Sequence, residues 1–354
     1  TRPSEARTPK SRVSYVPKRG SRVTYQATSR VANHALDHAE PDARPDEGAR
    51  PARAPAPARP GYAGAPGSRW RERLFRLTRG AIDLAPRGTG AADRELRERI
   101  AVPVSSCERV AVLSRKGGVG KTTTAIMLGH VLASHRTDRV VAVDSSPEAG
   151  SLAHRIRRRT RRDARQLLAH ESELHSHADV RRFTNQAPSR LEVVAAADDP
   201  GRAELLDGEE VRRLLALLDP HYDVACIDTG PGIAQAATRV VLEAARQVVV
   251  VVPPSIEGSR TAGATFRWLR ENGHADLAAR GVAVINTTVP ALPIDVDDLA
   301  AQLSAWCRGV VRVPFDGHLA TGGEASLAGV RRATGSAYLE LAALVADGFA
   351  TAQR

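Results

Sequence analysis

The chain has 354 residues, of which 26% are charged and only 4% aromatic, with a net charge of +11. That length accommodates one large or two modest domains with a sizeable core, and three widely separated cysteines, Cys107, Cys226 and Cys307, argue against a disulfide framework or a zinc site. The charge is uneven: residues 1–100 hold 21 Lys/Arg against 11 Asp/Glu, leaving +1 for everything that follows.

No apolar run approaches the ~18 residues that span a bilayer. The expectation is a cytoplasmic chain, at most peripheral to membrane or nucleoid. Residues 1–68 are rich in Pro, Arg, Ala, Ser and Gly and poor in bulky apolar side chains, too few to offset chain entropy, which predicts disorder. Within them SRVSY (Ser11 to Tyr15) recurs as SRVTY (Ser21 to Tyr25), and PARAPAPARP (Pro51 to Pro60) favours polyproline II. A basic arm of this kind suits nucleic acid, anionic lipid or an acidic partner. It equally suits a solubilising tail.

Residues 69–104 read as a basic helical linker. Trp70, Leu74, Leu77, Ala81 and Leu84 fall at helical spacing among Arg69, Arg71, Arg73, Arg76 and Arg79. Such a helix fits an anionic membrane, a partner, or the chain's own folded body. A second helix is predicted from Ala92 to Ile100, supported by a Glu95–Arg99 pair four apart.

From 105 to 354 strands alternate with helices. Strands are predicted at Arg109 to Ser114, Arg139 to Asp144, Leu191 to Ala196, Tyr222 to Asp228, Gln247 to Val252, Gly281 to Asn286 and Val310 to Val313. Helices are predicted at Thr122–His135, Glu209–Leu218, Ile233–Arg246, Glu257–Asn272, Val296–Trp306 and Ser336–Phe349. Near-continuous Val/Ile runs such as QVVVVV belong to strands covered on both faces. The fold class is therefore α/β: a doubly wound, mostly parallel sheet with helices on both faces.

The first strand runs into RKGGVGKTTT (Arg115 to Thr124), which opens a helix. Gly117, Gly118 and Gly120 let the backbone around Val119 curl until its N–H groups converge, with no side chain obstructing a phosphate there. The helix N-terminus adds partial positive charge at the same point. Lys121 is placed to reach the β- and γ-phosphates, the Thr122 hydroxyl to ligate Mg²⁺, and Thr123 to line the same nest. A Rossmann loop would need G-x-G-x-x-G with an acidic ribose ligand, which is absent. The second lysine, Lys116, is not needed to hold one nucleotide. It makes sense if it reaches a phosphate across a dimer interface, like an arginine finger.

KGGVGKTT resembles the deviant Walker A motif of the ParA/MinD ATPases, and the likeness extends over roughly Arg109 to Phe349. The resemblance implies an ATP-sandwiched homodimer in which Lys116 contacts the nucleotide of the opposite subunit. In YDVACIDTGPG, Asp228 matches the Walker B aspartate, which would hold Mg²⁺ through water. Thr229 to Gly232 resembles the switch loop that senses the γ-phosphate. Asn286 resembles the family's adenine-reading asparagine, and Pro314 and Phe315 its contacts to the base.

One position departs from the pattern. In VAVDSSPEAGSL, Asp144 matches the first acidic residue, but Ser146 stands where a second Asp or Asn would help position the attacking water. The expectation is secure ATP binding and slow hydrolysis.

The Pro/Arg/Ala-rich arm, RWRERLFRLTRG, FTNQAPSRLEVVAA (Phe183 to Ala196), RVPFDGHL and AYLELAALVADGF (Ala337 to Phe349) resemble the MinD-like proteins associated with type VII secretion in actinobacteria. This implies an accessory or regulatory ATPase whose residues 1–100 meet a secretion-machinery protein. A second reading is a partition ATPase. RIRRRTRRDAR puts seven arginines between Arg155 and Arg165, expected on one helical segment and suited to non-specific DNA contact. It also suits a solvated charged face. A third reading is a nucleotide-binding switch with little or no turnover.

Overall fold

The computed structural model describes residues 90–145, 152–196, 206–230, 232–290 and 294–352. The expectations for the basic arm, the Trp70 helix, Ser146 and Pro231 lie outside the described residues.

Eight strands form one sheet: β1 (Glu108–Leu113), β2 (Val140–Ser145), β3 (Asn185–Gln186), β4 (Glu192–Val194), β5 (Val224–Thr229), β6 (Gln247–Val252), β7 (Val282–Asn286) and β8 (Gly309–Val313). Their order is β3-β4-β2-β5-β1-β6-β7-β8. Every pairing is parallel except β3 with β4. The runs that read as doubly covered are just that: all six residues of each of β2, β5 and β6 are buried.

Alternation along the strands feeds two apolar cores, one on each face. Val110 and Val112 pack with Ile126, Leu128 and Leu132 on one side. Ala111 and Leu113 pack with Leu214, Phe266 and Leu269 on the other. The first core is closed by three helices, α1 (Gly90–Ile100), α2 (Lys121–His135) and the C-terminal helix (Arg332–Ala352). Ile100 is fully buried there. Arg99 locks the first helix to the last, with Nε 3.0 Å from Oδ1 and Nη2 2.6 Å from Oδ2 of Asp347. This two-bond fork fixes orientation as well as distance.

One strand was not anticipated, and one local expectation is corrected. The strand β3 shows no sequence signal, because two residues cannot display a period. More important for function, the Arg155–Arg165 stretch is not one helix. A 3₁₀ turn covers Leu152–Arg155, and α-helix begins only at Ala164, where Asp163 caps it in a reciprocal box with Gln166. Closely spaced guanidinium groups repel one another on a helix surface. The irregular chain between them is held instead by Asn185, whose Oδ1 accepts the N–H groups of Arg159 (2.6 Å) and Thr160 (2.9 Å). The seven arginines consequently diverge: Arg165 pairs with Glu210, and Arg162 lies over the Phe183 ring.

Candidate functional site

The carboxyl ends of β1, β2 and β5 meet at one point, because Val112 is in register with Asp228 and Asp228 with Asp144. A loop leaving a central strand of a parallel sheet opens into the crevice where such folds bind ligands. Here that loop joins β1 to α2. Gly118 and Gly120 adopt φ of 72° and 91°, a left-handed region closed to most side chains. The Lys116 N–H is held by the Ser114 hydroxyl at 3.2 Å.

The predicted site residues separate into three groups. Lys121 and Thr123 are buried at the start of α2, with Thr122 half-buried between them. Lys116 is the outward member: its side chain is 50% exposed, and its Nζ lies 3.1 Å from Glu257 Oε2. Gly117 and Gly118 are exposed beside it, while Val119 is anchored in the core.

Asp228 and Asp144 form the acidic group. Asp144 is fully buried, and its Oδ2 accepts the Leu152 N–H at 3.2 Å. Asp228 is 1% exposed, and neither of its oxygens makes a well-formed hydrogen bond within the protein. Burial pushes its carboxyl up to about 6, against the opposing pull of the Thr122 hydroxyl, Lys121 and Arg155. A buried carboxylate left short of partners, facing a hydroxyl at a helix N-terminus, is a suitable donor set for a hydrated divalent cation. The residues present therefore fit Mg²⁺.

The third group lies at the ends of β7 and β8, where Asn286 is in register with Val313 and so sits beside Pro314 and Phe315. Pro314 and Phe315 are half-buried. Asn286 is 7% exposed, and its Nδ2 donates to the Val119 carbonyl at 2.8 Å. One amide proton is thus committed to holding the phosphate loop, a role with no sign in the sequence. Three further residues are brought to this region without having been singled out: Glu257 against Lys116, Arg155 against Thr123 at 2.6 Å, and buried Asp316, which caps the turn after Phe315. Arg155 was hidden inside the arginine run.

Comparison with known proteins matches this arrangement to a family. A family model described as an AAA domain matches residues 107–277. The ESX-1 secretion-associated protein EspI of Mycobacterium tuberculosis is 34% identical over 288 residues, which are 80% of this chain. The chain spans only 43% of that relative's length. The chromosome-partitioning ATPase Soj of Thermus thermophilus is 32% identical over 179 residues, 50% of this chain and 68% of Soj. Among solved structures, a ParA family ATPase from Chlorobium tepidum superposes with a TM-score of 0.56 at 19% identity, covering 66% of this chain and 98% of that one. The septum site-determining protein MinD of Pyrococcus horikoshii, solved with Mg-ADP, gives 0.54 at 18% identity, covering 67% and 94%. These two likenesses carry the fold, and the Soj match carries the relationship. The chain belongs to the ParA/MinD-type P-loop ATPases.

Proposed function

We propose that this protein binds Mg-ATP at the loop between β1 and α2 and uses the nucleotide to switch a homodimer on and off. The observation that carries the reading is the division of labour between two lysines five positions apart, at either end of the glycine-rich loop. Lys121 is buried beside Asp228, whereas Lys116 projects to the surface. The loop's N–H groups and Lys121 would grip the phosphates of their own subunit's nucleotide. Lys116 would neutralise charge on the nucleotide of the partner subunit. Mg²⁺, held by Thr122 and through water by Asp228, would supply charge neutralisation at the phosphates. Asn286, Pro314 and Phe315 would border the base.

Hydrolysis is expected to be slow. Ser146 offers no anionic anchor for the attacking water, leaving Asp144 as the acidic residue on that side. If Ser146→Asp leaves a low turnover unchanged, this account of the rate is wrong. The switch itself is tested by light scattering in Mg-ATP. Wild type should dimerise, and Lys121→Ala and Lys116→Ala should both fail to. Nucleotide-dependent dimers in the Lys116 variant would refute the role in trans.

The process served is accessory to type VII secretion, a reading supported by the 34% identity to an ESX-1 secretion-associated protein over most of this chain. Residues 1–100 would then meet a component of the secretion machinery, and pull-down with and without them tests it. An alternative is positioning on DNA. It is favoured by the exposed Arg157, Arg159, Arg161 and Arg162 and by the likeness to a chromosome-partitioning ATPase. Filter binding against salt decides: ATP-dependent affinity that collapses with salt supports DNA, and no binding at low salt removes it.

A further inference from the structure

Arg155 holds the most telling group near the loop that no family motif accounts for. Its Nη2 donates to Thr123 Oγ1 at 2.6 Å. Its Nη1 lies 3.3 Å from the carbonyl oxygens of both Leu319 and Gly323, and its own carbonyl accepts the Ala325 N–H at 2.8 Å. The guanidinium is thus clamped between α2 and the segment that follows Phe315. Its partners are carbonyls and a hydroxyl, and burial depresses its pKa against attraction from Tyr338 and Asp228. A half-buried cation held in this way is costly unless something anionic shares the site.

The chemistry of the contact is directional. A guanidinium only donates, so Thr123 must spend an oxygen lone pair on Arg155. A threonine hydroxyl has one proton. In Thr124, the next residue, that proton goes to the Gly120 carbonyl at 2.9 Å. Thr123, which is 6% exposed, has no such acceptor among the described residues. We propose that Arg155 is a positioning residue that fixes the Thr123 hydroxyl as a hydrogen-bond donor to a phosphate oxygen of the bound nucleotide.

The inference rests on nucleotide binding at this loop and adds a residue 32 positions from its partner in sequence. It predicts that Arg155 acts on affinity through Thr123 and not independently. The test is a double-mutant cycle on the full chain, with Mg-ATP and Mg-ADP binding followed by calorimetry. Thr123→Val and Arg155→Met should each weaken binding by roughly tenfold, the worth of one charge-assisted hydrogen bond. The double variant should bind no more weakly than Thr123→Val alone. Arg155→Lys, which keeps a donor, should recover part of the loss and serves if Arg155→Met fails to fold. Additive losses in the double variant, or full affinity in Arg155→Met, would overturn the positioning role while leaving nucleotide binding intact. A wild-type protein that gives no heat with either nucleotide would sink the binding reading, and this inference with it.

Discussion

The ammonium of Lys116 and the carboxylate of Glu257 meet at 3.1 Å although 141 residues separate them in sequence. Glu257 lies in the first turn of the helix Ile256–Glu271, so the lysine proposed to act in trans is held in cis by the neighbouring helix of its own subunit. Both side chains are half or more exposed, and such a pair contributes about 0–1 kcal/mol. Dimerisation would have to break it. Glu257→Gln should therefore let ATP-dependent dimers form at a roughly two- to fivefold lower protein concentration, with little change in Tm. Sedimentation across a protein dilution series in Mg-ATP reads this directly. An unchanged midpoint would mean that Lys116 is not waiting on Glu257.

Lys121 is the buried partner in the same loop, facing Asp228. Lys121→Ala should weaken Mg-ATP binding by about a hundredfold, the usual scale for removing one member of a desolvated charge pair. Circular dichroism should show the fold retained. Binding within a few-fold of wild type would remove Lys121 from the phosphate site.

Asp228 gives a pH prediction with a defined sign. Its folded carboxyl sits near 6, above the ordinary 3.8, because burial penalises the charged form. A raised carboxyl means the folded state binds its proton more tightly, so ionisation costs stability as pH rises through the 4–6 window. Asp228→Asn should raise the Tm of the nucleotide-free protein above pH 6, by an amount equivalent to about 3 kcal/mol at most. The advantage should vanish below pH 4. The same variant should lose the Mg²⁺ dependence of nucleotide binding. A Tm difference that does not vary with pH would show that Asp228 is not the group responsible.

Two glycines of one loop should behave differently. A Cβ on Gly120 would lie 2.2 Å from Asn286 Nδ2, at a φ of 91°, whereas a Cβ on Gly117 would meet nothing within 4 Å. Gly120→Ala must strain its backbone and break the Asn286–Val119 hydrogen bond, costing about 2–4 kcal/mol. Gly117→Ala should leave thermal stability within about 0.5 kcal/mol. Equal denaturation midpoints for the two variants would contradict this geometry.

What could be read in advance followed from interactions close in sequence. Val/Ile runs announced the buried strands, and the spacing of Gly117, Gly118, Gly120 and Lys121 announced the loop, because a phosphate nest is built from consecutive backbone groups. Asn286 was legible as a strand end, but not as the residue that pins Val119, since that contact spans 167 positions. Arg155 and Glu257 became visible only when folding brought distant segments together. The arginine run misled for a related reason. Helical spacing was open to it, but Asn185 holds its backbone in an irregular path.

The fork between Arg99 and Asp347 has a mechanical corollary. The Ile100 carbonyl accepts a hydrogen bond from Arg136, which caps the far end of α2, some fifteen residues from Lys121. At 1.5 Å per residue that is about 22 Å of rigid rod. A load applied through the chain ahead of Gly90 would be borne first by the first and last helices, at the rear of the domain. Pulling there would strain the Arg99–Asp347 fork before any load reached the loop that carries Lys116 and Lys121.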